Sequence, residues 1–177
     1  MRKVTAGLFI SLDGVVEEPG DWHFPYFNDE MGAAVGAQLS AADTLLLGRK
    51  TYDSFAGAWP DREAAGGEDA DFAKTLGDAR KIVVSNQDLQ FTWRNSEQLK
   101  GDLVQTVTAL KNEAGASDIG MSGSISVVRQ LLAVGLLDEL HCWSTRSPSA
   151  RACACSTRAN PRSRCDWSPP RPSRPAF

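Results

Sequence analysis

Thr44-Leu45-Leu46-Leu47-Gly48-Arg49-Lys50-Thr51 changes character at its glycine. The apolar run before Gly48 shows no alternation, the pattern of a strand covered on both faces, and such strands belong to parallel sheets with helices above and below. Gly48 then releases the chain into a segment with two cations and a hydroxyl, which reads as a turn into a helix over 51–57. Working outward, strand-to-helix alternation recurs. Residues 2–10 read as a first strand with Val4, Ala6, Leu8 and Ile10 on one face, stopped by Ser11-Leu12-Asp13-Gly14, where Asp-Gly favours a turn. Residues 28–42 read as a helix with Met31, Val35 and Leu39 spaced by four, 60–70 as a surface loop rich in Gly and acids, and 71–78 as a short helix. Lys81-Ile82-Val83-Val84-Ser85 reads as another buried strand, and 102–113 as an amphipathic helix with Val107 and Leu110 inward beside Leu103 or Val104. A strand over 119–122, a helix over 124–134 with Ile125, Val128, Leu131 and Leu132 inward, and a strand from 137 to 143 complete the series. This order predicts an α/β fold with a mainly parallel sheet and helices on both faces.

The chain has 177 residues, enough for one domain with a genuine core. With 42% hydrophobic and 23% charged residues it is neither collagen-like nor wholly disordered. No run approaches the roughly 18 apolar residues of a membrane helix, and the N-terminus enters an alternating pattern without a secretory leader, so the cytoplasm is the expected compartment. The net charge of -3 averages two unlike parts. Residues 141–177 hold seven Arg, one acid and six of the nine Pro, for +6, whereas residues 1–140 carry -9. The last stretch also contains all four Cys and no Leu, Ile or Val, so it cannot build a core. Cys142, Cys153, Cys155 and Cys165 lack a Cys-x2-Cys pair, and no metal is expected.

Beyond the carboxyl ends of parallel strands, helix N-termini offer unpaired N–H groups and partial positive charge to phosphates. Two junctions have that chemistry. At Gly48-Arg49-Lys50-Thr51 the glycine admits close backbone approach, two cations neutralise charge, and the Thr51 hydroxyl caps the helix or donates to phosphate. At Ser122-Gly123-Ser124-Ile125 a turn of mostly small residues opens the next helix. Taken singly, each junction is also what an ordinary turn and helix cap would show.

In combination they resemble the dihydrofolate reductase-like family, within it the bacterial proteins similar to the C-terminal reductase domain of the riboflavin-biosynthesis deaminase-reductase. The resemblance rests on Ser11-Leu12-Asp13-Gly14-Val15-Val16, residues 47–55, Lys81-Ile82-Val83-Val84-Ser85, Ser122-Gly123-Ser124-Ile125 and Gly135-Leu136-Leu137-Asp138-Glu139-Leu140, in the family's order across 1–141. It implies a mixed, mainly parallel sheet and an NADPH-dependent reductase acting on a small heterocycle, either the pyrimidine of riboflavin biosynthesis, 5-amino-6-(5-phosphoribosylamino)uracil, or a pterin. Gly48, Arg49, Lys50 and Thr51 inherit contacts to the cofactor phosphates. Ser85 and Asn86 inherit the adenosine ribose and its 2'-phosphate, and Ser122, Gly123, Ser124 and Ile125 the pyrophosphate. Asp13 and Gly14 are expected near the nicotinamide and substrate. Asp29 lies in the region where dihydrofolate reductases carry an acid, although its spacing to Gly48 differs. An acid in a first helical turn also complements the helix dipole. Met121 departs from the family pattern, which often has a glycine there. Trp22, His23, Phe24, Tyr26 and Phe27 either line a flat ring pocket or form a packed loop. Asp138 and Glu139 are expected to face solvent or cap the preceding turn.

The resemblance stops after His141, which sets the expected boundary between a reductase domain over 1–141 and a tail over 142–177. Dense Arg, Ser, Pro, Ala and Cys without aliphatics is what a GC-rich gene yields out of frame. Coding His141-Cys142-Trp143-Ser144-Thr145-Arg146-Ser147 as CAC TGC TGG TCC ACC CGG TC and restoring one C after CAC gives HLLVHPV, which alternates like a strand. On this reading the chain lacks the family's final strands, which complete the sheet and often support a homodimer. A rival reading makes the protein an inert remnant, or one whose basic tail binds nucleic acid through phosphates. Ordering a backbone costs about 1 to 2 kcal/mol per residue, which this tail cannot offset, so residues 142–177 are expected to stay outside the cooperative fold. A frame-restored chain is accordingly expected to melt at higher temperature and bind NADPH more tightly than this one; equal melting temperatures would count against the frameshift reading.

Overall fold

The computed structural model describes residues 1–113 and 117–145. The strand expected to stop at 143 runs to Thr145, paired with the first strand as far as Ser11, so the first four residues of the tail expected over 142–177 belong to the sheet; 146–177 lie outside the described residues. Six strands form one sheet: β1 Val4–Ser11, β2 Ala42–Gly48, β3 Arg80–Val84, β4 Ser96–Gln98, β5 Asp118–Ser122 and β6 Glu139–Thr145. Their spatial order is β4-β3-β2-β5-β1-β6, and every pairing among the described residues is parallel. The helices are α1 Asp29–Ser40, α2 Arg49–Ala56, α3 Trp59–Ala65, α4 Ala70–Asp78, α5 Leu103–Lys111 and α6 Ile125–Ala133. No helix among the described residues is long and apolar enough to cross a membrane.

The uninterrupted apolar run of β2 is explained by cover on both faces. Leu46 joins Val4, Ala6, Leu8, Ile82, Ile119 and Met121 under α5 and α6, while Leu45 and Leu47 join Leu39, Tyr52, Leu76, Val83 and Trp93 under α1, α2 and α4. Burying each such side chain contributes about 1.5 to 3 kcal/mol. Three expectations are corrected. The segment 60–70 is a helix over its first half, because Pro60 fits the first helical turn and Gly66 ends α3 in the left-handed conformation (φ 67). Leu132 is 54% exposed, since α6 turns Val127, Val128 and Leu131 to the sheet. Asp138 neither faces solvent freely nor caps its own turn: its carboxylate accepts from Val4 N at 2.7 Å and from Lys111 Nζ, tying β6 to β1. The short polar strand β4 went unread in the sequence.

Lys81 is fully buried, although charged residues almost never are unless paired. It reaches back from β3 to cap α4, donating to the carbonyls of Leu76, Gly77 and Ala79 at 2.7 to 2.8 Å, while Nζ lies 4.2 Å from the Trp93 ring centroid. Burial, reinforced by the nearby Arg94 cation and opposed by Asp78 and Glu63, pushes the amine down to about 8 from its ordinary 10.5. Below pH 8 the amine is charged in folded and unfolded chains alike. Between about 8 and 10.5 the unfolded chain binds the extra proton, so the folded state gains stability as pH rises. Urea unfolding of the wild type and Lys81→Met should show a stability difference that grows in favour of the wild type across this window, by up to about 3 kcal/mol.

Candidate functional site

The strand order places one crevice in the sheet. From β2 the chain moves outward to β3, and from the neighbouring β5 it crosses in the opposite direction to β6, so the connections diverge beyond the carboxyl ends of β2 and β5. Ligands of open parallel sheets bind at such divergence points. Gly48 ends β2 and Ser122 ends β5, which brings the two junctions singled out in the sequence to the same place.

They are knitted together. Gly48 N donates to Ser124 Oγ at 2.8 Å, Ser124 N donates to Thr51 Oγ1 at 3.2 Å, and Gly123 N donates to the Gly7 carbonyl at 3.1 Å. Gly123 and Ser124 both take positive φ, 66 and 55. The φ of Gly123 suits glycine, while a Cβ there would make only ordinary van der Waals contact with Thr51 Oγ1 at 3.5 Å, so the preference is conformational. No side chain caps the N-terminus of α2 or α6, leaving first-turn N–H groups of both helices directed at the crevice. Arg49 and Lys50 are exposed in the first turn of α2. Arg49 is paired with Asp53 at 2.9 Å, and Lys50 makes no ion pair among the described residues.

Ser85 follows the end of β3 and so lies beside the Gly48 junction, because Val84 is in register with Gly48. Its hydroxyl donates to Gln87 O and accepts from Gln87 N, both at 3.0 Å, and Asn86 next to it is exposed. This loop is held by Gln98, which donates to Ser85 O at 3.2 Å and Gln87 O at 2.8 Å and accepts from Leu89 N at 3.2 Å. Gln98 escaped sequence reading because a polar three-residue strand carries no periodic signal.

Asp13 and Gly14 turn the chain at the carboxyl end of β1. Gly14 has φ 85, and Ser11 Oγ donates to Asp13 Oδ1 at 2.5 Å. Asp29 is exposed in the first turn of α1, next to Glu30 and behind the Asn28 cap, an arrangement that complements the helix dipole. Ile125 opens α6 half-buried. Of the aromatic loop, His23 is buried between Phe9 and Phe24, with ring centroids 4.2 Å away on each side, and donates through Nδ1 to the Pro19 carbonyl; Phe24, Tyr26 and Phe27 remain exposed. The loop is therefore packed at His23 and open at its rim. An open polar depression lined by Asp78, Arg80, Asn95, Ser96 and Glu97 lies at the opposite end of the sheet and contains none of these residues.

Sheet, crossovers and cradle define a dihydrofolate reductase-like α/β protein. Residues 2–145 match the family described as the RibD C-terminal domain, and the chain belongs to that family of reductase domains. No curated protein matches the sequence. Among solved structures the chain is similar to a putative riboflavin biosynthesis protein of Shewanella sp. PV-4, with 21% identity and a TM-score of 0.60 over 82% of this chain and 78% of that one. It is also similar to Schistosoma mansoni dihydrofolate reductase, with 16% identity and a TM-score of 0.57 over 84% and 76%. The third is a Thermotoga maritima diaminohydroxyphosphoribosylaminopyrimidine deaminase/5-amino-6-(5-phosphoribosylamino)uracil reductase, with 15% identity and a TM-score of 0.56 over 85% of this chain and 46% of that one. At these identities the likeness establishes the fold.

Ser124 is the residue on which the cradle turns. Ser124→Ala removes the acceptor of Gly48 N and is expected to cost about 0.5 to 1.5 kcal/mol, read as a lowered melting temperature, with the α/β circular dichroism spectrum retained.

Proposed function

We propose that this protein is an NADPH-dependent reductase that delivers hydride to a small heterocyclic substrate, with the pyrimidine 5-amino-6-(5-phosphoribosylamino)uracil or a close relative favoured over a pterin. The observation that carries the reading is the convergence of the α2 and α6 N-termini on one crevice, locked by the Gly48–Ser124 and Ser124–Thr51 hydrogen bonds. Family membership supports the reductase class, and the uracil reductase named for the Thermotoga maritima relative supports the pyrimidine.

The residues present fit a dinucleotide. Uncapped helix N-termini and a positive-φ glycine turn suit a pyrophosphate, which needs backbone donors and close approach. Gly48, Thr51, Ser122, Gly123, Ser124 and Ile125 would hold that group. Arg49 and Lys50 would meet phosphate charge, with Ser85 and Asn86 placed for the ribose end and its 2'-phosphate. NADPH, when bound, supplies the hydride; the protein's part is orientation, exclusion of water and delivery of a proton. Reduction of a C=N or C=O bond places hydride on carbon and a proton on the heteroatom. Asp13 at the end of β1, steered by Ser11, and Asp29 on α1 are the acids assigned to that proton, with Gly14 admitting close approach beside Asp13. The substrate is the small molecule itself, with neither membrane nor nucleic acid as partner.

Arg49→Ala tests the charge assignment by fluorescence titration of both cofactors. A larger loss of affinity for NADPH than for NADH, on the order of tenfold, is expected if the guanidinium meets the 2'-phosphate. Equal losses would move Arg49 to the pyrophosphate, and no loss would remove it from the site. Failure of the folded protein to bind NADPH at millimolar concentration would sink the enzyme reading.

A further inference from the structure

The loop that follows β3 is held at its near end by a single side chain. Gln98, half-buried on β4, donates through its amide nitrogen to the carbonyls of Ser85 at 3.2 Å and Gln87 at 2.8 Å, and accepts from Leu89 N at 3.2 Å. Both donor hydrogens and the oxygen of the amide are thus spent on backbone groups. The Ser85 hydroxyl is engaged within the loop, donating to Gln87 O and accepting from Gln87 N at 3.0 Å. Residues 86–92 make no other hydrogen bond among the described residues. The far end of the loop is anchored elsewhere: Trp93 N donates to Tyr52 Oη at 3.2 Å, and Arg94 pairs with Glu63 at 2.6 Å and Asp78 at 2.9 Å. The near end, which adjoins Gly48, depends on Gln98.

Charge makes that hold consequential. Residues 85–93 contain no Lys or Arg and one acid, Asp88, which is exposed and makes no ion pair among the described residues. Gln87 O and Leu89 N belong to the two peptide groups that flank Asp88, and the Gln98 amide bonds both of them. With that amide gone, nothing fixes the direction in which the carboxylate points. We infer that Gln98 is a positioning residue for cofactor discrimination: by clamping the peptides on either side of Asp88 it keeps that carboxylate away from a ribose 2'-phosphate, and so lets a loop without cations accept NADPH. The inference rests on the reading of this loop as the ribose end of the cofactor site. A phosphate beside a loose carboxylate is repelled, and salt screens the repulsion. A nucleotide without the 2'-phosphate has no charge at that point and is indifferent to Asp88.

Fluorescence titration of the full chain and its variants with NADPH and NADH provides the test. Gln98→Met keeps the length of the side chain and removes all three hydrogen bonds. It is expected to weaken NADPH about fivefold at low ionic strength and NADH by less than about twofold, with the difference shrinking at high salt. Asp88→Asn alone should leave the ratio of the two affinities unchanged, and the double variant Gln98→Met/Asp88→Asn should recover the wild-type ratio. Calorimetry with 2',5'-ADP and 5'-AMP should repeat the pattern without a nicotinamide ring. Gln98→Asn, which keeps the amide on a shorter stem, should show the same preference with a smaller loss and serves where the methionine variant does not fold. Losses shared equally by NADPH and NADH, as a merely structural role would give, or a loss that Asp88→Asn leaves in place, would overturn the inference. A wild type that binds NADPH beside indifferent variants removes the role of Gln98 alone, whereas a wild type that binds none removes the cofactor reading with it.

Discussion

Two consecutive residues in the left-handed region, Gly123 and Ser124, hold the carboxyl ends of β2 and β5 and the middle of β1 in one geometry. For a residue other than glycine that conformation costs on the order of 1 to 2 kcal/mol. Ser124 keeps it because hydrogen bonds to Gly48, to Thr51 and, through Gly123, to Gly7 over-determine the backbone, each contributing about 1 kcal/mol net. The direction in which α6 leaves the sheet follows from this turn, as does the proximity of its first N–H groups to those of α2. Neither helix end could form the cradle alone, and the strand order brings them together.

The elements that sequence reading captured are those whose environment is written into local composition. The apolar runs of β2 and β3 are legible because both faces are covered, and Gly123 and Gly14 because a turn with positive φ calls for glycine. What escaped depends on partners distant in sequence. Lys81 reads as the polar flank of an apolar run, and only the fold shows α4 presenting three carbonyls to it. Gln98 reads as loop for the same reason. Of the inward α6 residues expected, Ile125, Val128 and Leu131 pack on the core and only Leu132 does not, because it is adjacent to Leu131 and one helix face cannot bury both.

The two ends of the sheet are built differently, and the difference bears on where chemistry can occur. The buried charged residues among the described ones, Arg2, Lys81 and Lys111, all lie toward the amino ends of the strands. Arg2 pairs with Asp43 and Glu113 and donates to Thr44 Oγ1 at 2.8 Å, while Lys111 joins Asp138 and the Leu136 carbonyl. Each closes a junction through hydrogen bonds that leave little donor capacity for a ligand. At the carboxyl ends the charges are exposed and the turns small.

That asymmetry follows from the direction of a parallel sheet. Helices enter at the carboxyl ends with unpaired N–H groups and leave at the amino ends with unpaired carbonyls. Carbonyls at the amino ends can be satisfied by lysine and arginine from the chain itself, as α4 is by Lys81, and that end closes into structure. The N–H groups at the carboxyl ends need acceptors, and here neither N-cap residue, Gly48 or Ser124, turns a side chain onto the first turn of its own helix, α2 or α6. On the proposed reading an anion brought by a ligand would complete what the fold leaves open, and the same backbone polarity that closes the amino ends of the sheet is what favours the carboxyl ends for binding.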